Sequence, residues 1–581
     1  MITPREADIL ATISLDEPWA LVEAFSQMPR WMPEDVNRGA DEIIARAKRL
    51  GLPIEIYEPN IYLSVPLSAS VETGSGRLHA KPPSMSVPAP DGVSGELVYF
   101  GANVKNLRTY TRNVADLFGD ADAASQMRER LKGRILLTEG FGNPALTSVA
   151  EEFGAIGLIV INPGQNIHWG TCTTIWGTPE LDDIPRKPKI PVVAVSNPDG
   201  ADLIKRAGAG QSVTIRSDLL EGWFTQKIPV VHIPSASDTD DFVIVHGHYD
   251  SWDVGVGDNA TGDATLLELA RVLWNQRQHL RRSVRIAWWP GHSTGRYAGS
   301  TWYCDAFALD FEENCVAQIN CDSPGCRWAT SYHKTICMAE MQGLVGKVIT
   351  EITGTPPEYM RPKQAGDNSF YNIGLPTYFS LTSTMPDDLR AEKGYYEVSG
   401  CGGNIAWHTE DDTMEIADRD VMLTDLKIYT LCVLRHAMDE IIPADWRATV
   451  REFAATIERY QDAAGALFDL GQARAANAAL GKTLDAFYAS IENSQIAPGD
   501  ANAVIKRLGR ILIPINFTRE PRFLHDPAFV CPPLPTLQTA VELSSHDPAL
   551  IGFAKTQLTR GQNRFLAAIR DAGKVIEPVL P

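Results

Sequence analysis

Phe242-Val-Ile-Val-His246-Gly-His248-Tyr-Asp250 is a strand with an unbroken apolar face that ends in imidazoles and a carboxylate. The texture around it alternates. A helical pattern over 263–277 follows, then strand 283–289, helix 300–309, strand 315–321, helix 341–352 and strand 377–381. This alternation predicts an α/β fold whose mixed, mostly parallel sheet is sandwiched by helices. Ligands of such sheets gather at the carboxyl ends of strands, so the end at His248 is where a site belongs.

Upstream, the first sixty residues read as helix, helix, strand. A helix over 34–50 ends before Gly51-Leu52-Pro53, and strand character follows over 54–65. From Thr73 to Gln226 the chain turns to short strands, including Lys132-Gly-Arg-Ile-Leu-Leu, Leu158-Ile-Val-Ile-Asn162 and Ile190-Pro-Val-Val. A short helix over 150–157 and one from Asn197, with Asn197 as cap and Pro198 in the first turn, complete this inserted module. From Asp418 onward helices dominate, with 454–480 rich in Ala and charge. Three units are expected: a discontinuous one over 1–70 and 228–440, an insert over 71–227, and a helical unit over 441–581.

A chain of 581 residues exceeds one hydrophobic core. Its composition, 44% hydrophobic and 22% charged, is that of a globular protein. With 53 basic against 72 acidic residues the net charge is −19, which argues against nucleic-acid or anionic-membrane partners. Residues 1–30 have no signal-peptide pattern, and no segment has the length of a membrane helix. Nine cysteines without a CxxC pair point to reduced thiols and a cytoplasmic setting.

Histidine and aspartate recur where strands end. Beyond His248 and Asp250 there are Gly257-Asp258-Asn259-Ala260-Thr261-Gly262, Asn320-Cys-Asp322 and Trp407-His408-Thr-Glu-Asp-Asp412. Each residue alone has an ordinary structural reading, such as a helix cap for Asp258. Together, imidazole and carboxylate suit Zn²⁺, Mn²⁺ or Fe²⁺.

The ordered set resembles the M28 metallopeptidases over roughly 242–412. Gly299-Ser300 and Gly366-Asp367-Asn368-Ser369-Phe370 also match. The insert resembles a protease-associated domain. The layout is similar to the transferrin-receptor and glutamate-carboxypeptidase branch, with a C-terminal helical dimerisation domain. The resemblance implies a zinc-aminopeptidase-like fold and a homodimer. It implies that His248 and Asp322 hold a first metal, that Asp258 bridges two, and that His408 holds the second. Asp250 would orient His248, and Asp412 would do the same for His408.

One stretch departs. The family carries Glu-Glu, a general base and a ligand, where this chain has His292-Ser293. Losing the ligand carboxylate favours one zinc over two. His292 is then either the base for water or itself a ligand, which would favour Zn²⁺ or Fe²⁺. The expected activity is metal-dependent hydrolysis of an amide bond in a small molecule or short peptide, with His292 and Asp250 as catalytic residues. Ser293, Arg296, Arg361 and Trp407 are candidate substrate contacts. The alternatives are a metal-dependent lyase breaking a C–N bond and a receptor-like binding protein.

Overall fold

The computed structural model describes residues 1–103, 113–120, 122–545 and 547–581. Its central sheet has six strands, in the order Ile54–Tyr57, Ile228–Ile233, Ser283–Trp289, Phe242–His248, Cys315–Asn320, Thr377–Tyr378. The last four run parallel, and Ile228–Ile233 is antiparallel to both of its neighbours. Register decides what meets at the carboxyl edge. His248 pairs with Trp289, and His246 with Asn320. The segments leaving those partners carry His292 and Asp322, so three distant stretches emerge side by side.

Helices cover both faces. On one, Leu266, Leu267 and Leu273 of helix Thr261–Gln276 share a continuous apolar core with Phe453, Leu484, Leu508 and Leu558 of the C-terminal helices. On the other, Trp289, Tyr303, Phe311 and Phe370 pack together. Each such side chain contributes about 1.5–3 kcal/mol on full burial, so the C-terminal helices are firmly attached to the sheet.

The insert has its own seven-stranded sheet, in the order Gly76–Ala80, Asn60–Thr73, Ser212–Thr225, Ala89–Tyr99, Ile135–Glu139, Gly157–Ile161, Val192–Val195. Pairing is antiparallel up to Ala89–Tyr99 and parallel beyond it. Its two faces bury separate clusters, around Leu136, Leu158 and Val192 on one and Leu137, Ile159 and Val193 on the other. The second sheet begins at Asn60, ahead of the expected boundary at 71. The single strand expected over 54–65 is in fact two, Ile54–Tyr57 and Asn60–Thr73, in different sheets. Pro59 lies between them and cannot donate to a ladder.

Two local expectations need correcting. The helix placed at 150–157 is Pro144–Glu152, because Asn143 caps the Leu146 amide and Pro144 sits in the first turn. The cap of helix Asn197–Gly208 is Ser196, whose hydroxyl accepts from the Asp199 amide. The stretch 454–480 is shared by helices Trp446–Ala464 and Gly471–Glu492, which break at Gly465, where φ is +54°. Pro498–Phe517 and Ile551–Ile576 complete the helical layer. Among the described residues, no helix is long and apolar enough to cross a membrane.

Candidate metal centre

His248 is the last residue of its strand and is almost wholly buried. Its Nδ1 lies 2.9 Å from the main-chain carbonyl of Asp250. A carbonyl only accepts, so Nδ1 carries a proton and Nε2 is the ring nitrogen turned to the site. It faces Asp258 Oδ1 at 3.0 Å and Asp322 Oδ2 at 3.9 Å.

His408 repeats the arrangement. Its Nδ1 lies 3.0 Å from the carbonyl of Trp169, and its Nε2 lies 3.1 Å from Asp258 Oδ2. One carboxylate thus receives one imidazole on each oxygen. His248 Nε2 is buried and has no aligned hydrogen-bond donor or acceptor, although Asp258 is close. Two imidazole nitrogens converging on one buried carboxylate is an arrangement that a cation in place of the shared protons would satisfy, so the residues fit a metal.

The charges respond accordingly. Burial works to raise the Asp258 carboxyl, but His248 and His408 hold it well below the usual range. Burial works to lower His248, and the neighbouring Asp258, Asp322 and Asp250 raise it well above the ordinary imidazole value. Burial, with Asp258 beside it, pushes Asp322 up to about 6.

The turn carrying Asp258 is held from several sides. Asp412 accepts the amides of Gly257 at 2.6 Å and Asp258 at 3.0 Å. Asp412 therefore supports the turn that carries Asp258 and not His408, which corrects the expectation. Asn259 donates to the carbonyls of His248 and Cys321 and accepts the Ser323 amide, tying both strand ends to the turn. The buried Arg30 guanidinium donates to the carbonyls of Phe25, Met28, Tyr249, Val254 and Gly255, which locks the segment after His248.

Asp250 also acts differently from expectation. Its carbonyl, rather than its carboxylate, orients His248; the carboxylate oxygens stand 3.0 Å from the His292 amide and 3.4 Å from that of Ser293. His292 lies within the site. One ring nitrogen is within 4.8 Å of ligand atoms of His248 and Asp322. Its Nδ1 is 2.7 Å from Asp367 Oδ2. Ser293 is fixed through its backbone, with its carbonyl accepting from Thr171 Oγ1 of the insert. The Trp407 ring stacks on His408 at 3.7 Å.

The two candidate arginines differ in place. The Arg296 guanidinium lies 4.7 Å over the Tyr297 ring, and that ring meets His292 edge-on. Arg361 is not at the site. It pairs with Glu452 at 2.6 Å, donates to the Asn516 carbonyl and covers the Phe517 ring, all on the C-terminal helices. Its sequence position near the Gly366 motif brought it under suspicion, but its guanidinium is spent joining two units.

Sequence reasoning missed Arg30, Asn259, Asp367 and Trp169 as supports. Asp367 and Asn259 stand in stretches singled out for their pattern. The Arg30 guanidinium reaches only main-chain carbonyls, and Trp169 orients His408 with its own carbonyl, so neither forms a side-chain motif that sequence could show.

Residues 230–424 match the profile of peptidase family M28. Leucine aminopeptidase 2 of Trichophyton equinum is 30% identical over 191 residues, 32% of this chain and 35% of that protein. Leucine aminopeptidase 2 of Arthroderma otae is 27% identical over 256 residues, 43% of this chain and 45% of that one. The matched stretches thus span less than half of these relatives. Among solved structures, the aminopeptidase from Aneurinibacillus sp. strain AM-1 superposes with a TM-score of 0.54 at 18% identity, covering 74% of this chain and 96% of that one. The zinc aminopeptidase from Bacillus subtilis gives 0.53 at 19%, with coverage of 74% and 96%. These two likenesses establish a shared fold. The strand ends and turns that carry His248, Asp258, Asp322 and His408 all lie within the segment 230–424 that matches peptidase family M28.

Proposed function

We propose that this chain is a metal-dependent hydrolase of amide or peptide bonds in a small molecule or short peptide. The observation that carries the reading is the pair of imidazoles fixed by carbonyls at Nδ1, with both Nε2 atoms on the two oxygens of Asp258. His248, Asp322 and Asp258 would hold the first ion, and Asp258 with His408 the second. A bound Zn²⁺ polarises a carbonyl and acidifies water. The zinc aminopeptidase among the structural neighbours supports zinc; the donor set also suits Fe²⁺ or Mn²⁺.

His292-Ser293 stands where the resemblance implies two glutamates. Ser293 adds no charge, so the second position has Asp258 and His408 alone, and one ion per chain is the expected occupancy. Trp407, stacked on His408, Ser293 and Arg296 are the proposed substrate contacts. The nine free, buried cysteines support a reducing, cytoplasmic setting, and a homodimer is the proposed assembly.

The test is metal content by elemental analysis of the purified protein, followed by product analysis on aminoacyl anilides and N-acyl amino acids in ¹⁸O-labelled water. One ion per chain and label in the carboxylate product are expected. A protein free of metal, whose melting is indifferent to chelator, would be a binding protein. An unsaturated product without label would make it a lyase.

A further inference from the structure

His292 has two candidate duties at this site, and the ring geometry separates them. Its imidazole stacks on that of His248 with centroids 3.8 Å apart and planes only 21° from parallel. An imidazole binds a metal through a lone pair lying in its own ring plane, at about 2.0–2.1 Å from nitrogen. Two near-parallel planes offset by this stack do not converge over that reach. One ion therefore cannot lie in both planes. His248 has Nε2 aimed at Asp258, so the ion belongs to His248.

What holds His292 is also informative. The buried Asp367 takes Nδ1 of His292 at 2.7 Å on one oxygen and the Ser300 hydroxyl at 2.8 Å on the other. Ser300 is in turn within hydrogen-bond distance of Ser369, which accepts from Trp176 Nε1. The backbone amide of His292 donates to Asp250, and the Tyr297 ring closes on the imidazole edge-on at 4.9 Å. The ring is thus braced on four sides, with its Nδ1 proton assigned to a carboxylate and Nε2 left to exchange a proton.

We propose that His292 is the general base of this site and not a metal ligand, and that Asp367 is its positioning residue. The assignment rests on the hydrolase reading above. The step balances simply. The oxygen of the attacking water bonds to the carbonyl carbon, and its proton passes to His292 Nε2. As the C–N bond breaks, that proton moves to the leaving nitrogen, which restores the neutral imidazole. The products are a carboxylic acid and an amine. Asp367 keeps the Nδ1 proton in place and steadies the charge that His292 carries between the two transfers, the division of labour that any carboxylate–imidazole pair provides. Burial works to raise the Asp367 carboxyl, and the adjoining His292 brings it below its usual range, so the carboxylate is present to do this.

The experiment compares zinc-loaded wild type with H292A, H292Q, D367A, H248A and the double variant H292A/D367A. Zinc affinity is read by competition with a chromophoric chelator, and turnover with leucine 4-nitroanilide and an N-acyl amino acid. For H292A and H292Q, zinc affinity stays within about threefold of wild type, while H248A loses about 100-fold or more. Turnover in H292A falls about 10²–10⁴-fold in kcat with little change in KM, and added imidazole restores part of it. D367A lowers kcat in the same sense, and the double variant is no worse than H292A alone. A 100-fold loss of zinc affinity in both H292A and H292Q would make His292 a ligand and overturn the proposal. Equal additive losses in the double variant would remove Asp367 from its role. Zinc bound but no turnover by wild type on either probe would sink the hydrolase reading, and the affinity ratio would still decide whether His292 binds the ion.

Discussion

At the scale of single residues, the site is made by main-chain groups acting on side chains. Carbonyls of Asp250 and Trp169 select the tautomers of His248 and His408, and amides of Gly257 and Asp258 are spoken for by Asp412. Asp412 is the most exacting of these, because both of its oxygens accept a backbone N–H. Replacing it by Asn turns one acceptor into a donor that faces an amide. We expect Asp412→Asn to weaken zinc binding about 10–100-fold with the fold intact, measured by chelator competition alongside far-ultraviolet circular dichroism. Unchanged affinity would mean that the Asp258 turn holds its shape without this support. The same residues explain what was readable beforehand. That His248, Asp258, Asp322 and His408 would come together was legible because imidazole and carboxylate recur where strands and turns end. The roles of Asp250 and Asp412 were misassigned because sequence shows a carboxylate but not whether its own backbone or its neighbour's is the partner. Arg361 was misplaced for a related reason: proximity along the chain says nothing about which of two packed units a long side chain joins.

At the scale of elements, the site depends on how closely strand and turn approach. A Cβ at Gly247 would lie 2.5 Å from the main-chain carbonyl of Cys321 and 3.2 Å from Asn259 Nδ2. The nearer of these is backbone and cannot swing aside. Gly247→Ala should therefore separate the ends carrying His248 and Asp322, costing about 1–3 kcal/mol in denaturant titrations and lowering zinc affinity together with it. Loss of stability with full zinc affinity would show that the two ends move as one body. A mostly parallel sheet between helices was legible in the alternation of strand and helix patterns, whereas the split of 54–65 between two sheets was not, since Asn60–Thr73 continues the apolar texture of the strand before it. A second element-scale consequence concerns the junction with helix Trp446–Ala464. Glu340 is buried there, accepts from Thr449 Oγ1 at 2.7 Å, and has its Oε1 without a partner. Burial pushes its carboxyl up to about 7. An acid raised in the folded state keeps a proton that the unfolded chain has already released, so stability falls as pH rises from about 4.5 through 7, by up to about 3 kcal/mol. In metal-free protein, the drop in melting temperature between pH 5 and 8 should be smaller in Glu340→Gln than in wild type. Identical slopes for the two would show that Glu340 ionises freely.

At the scale of the whole molecule, the insert reaches the candidate metal site directly through Trp169 and Thr171. Trp169 not only turns His408 with its carbonyl but receives the His408 carbonyl on its own amide at 2.9 Å. Around that pair, His168 Nδ1 lies 2.6 Å from the Trp407 carbonyl, Asn166 donates to Asp411, and the Trp169 ring stacks on Trp252 at 5.3 Å. Thr171 reaches the other side of the site at Ser293. The stretch 166–171 therefore joins both loops beside the site, so an ion held by His248, Asp322 and Asp258 would be coupled to the seating of the insert through the contact of Asp258 with His408. A ligand present at about 100 times its dissociation constant stabilises the state that binds it by about 2.7 kcal/mol. If the insert can lift away only when His408 is released, amide exchange over 166–171 should slow by up to about 100-fold when zinc is added, and by the same factor over 406–412. Mass-resolved hydrogen exchange with and without chelator measures both segments at once. Protection that grows over 406–412 while 166–171 stays unchanged would mean that the insert opens independently, and that the Trp169 carbonyl is only one of several ways to orient His408.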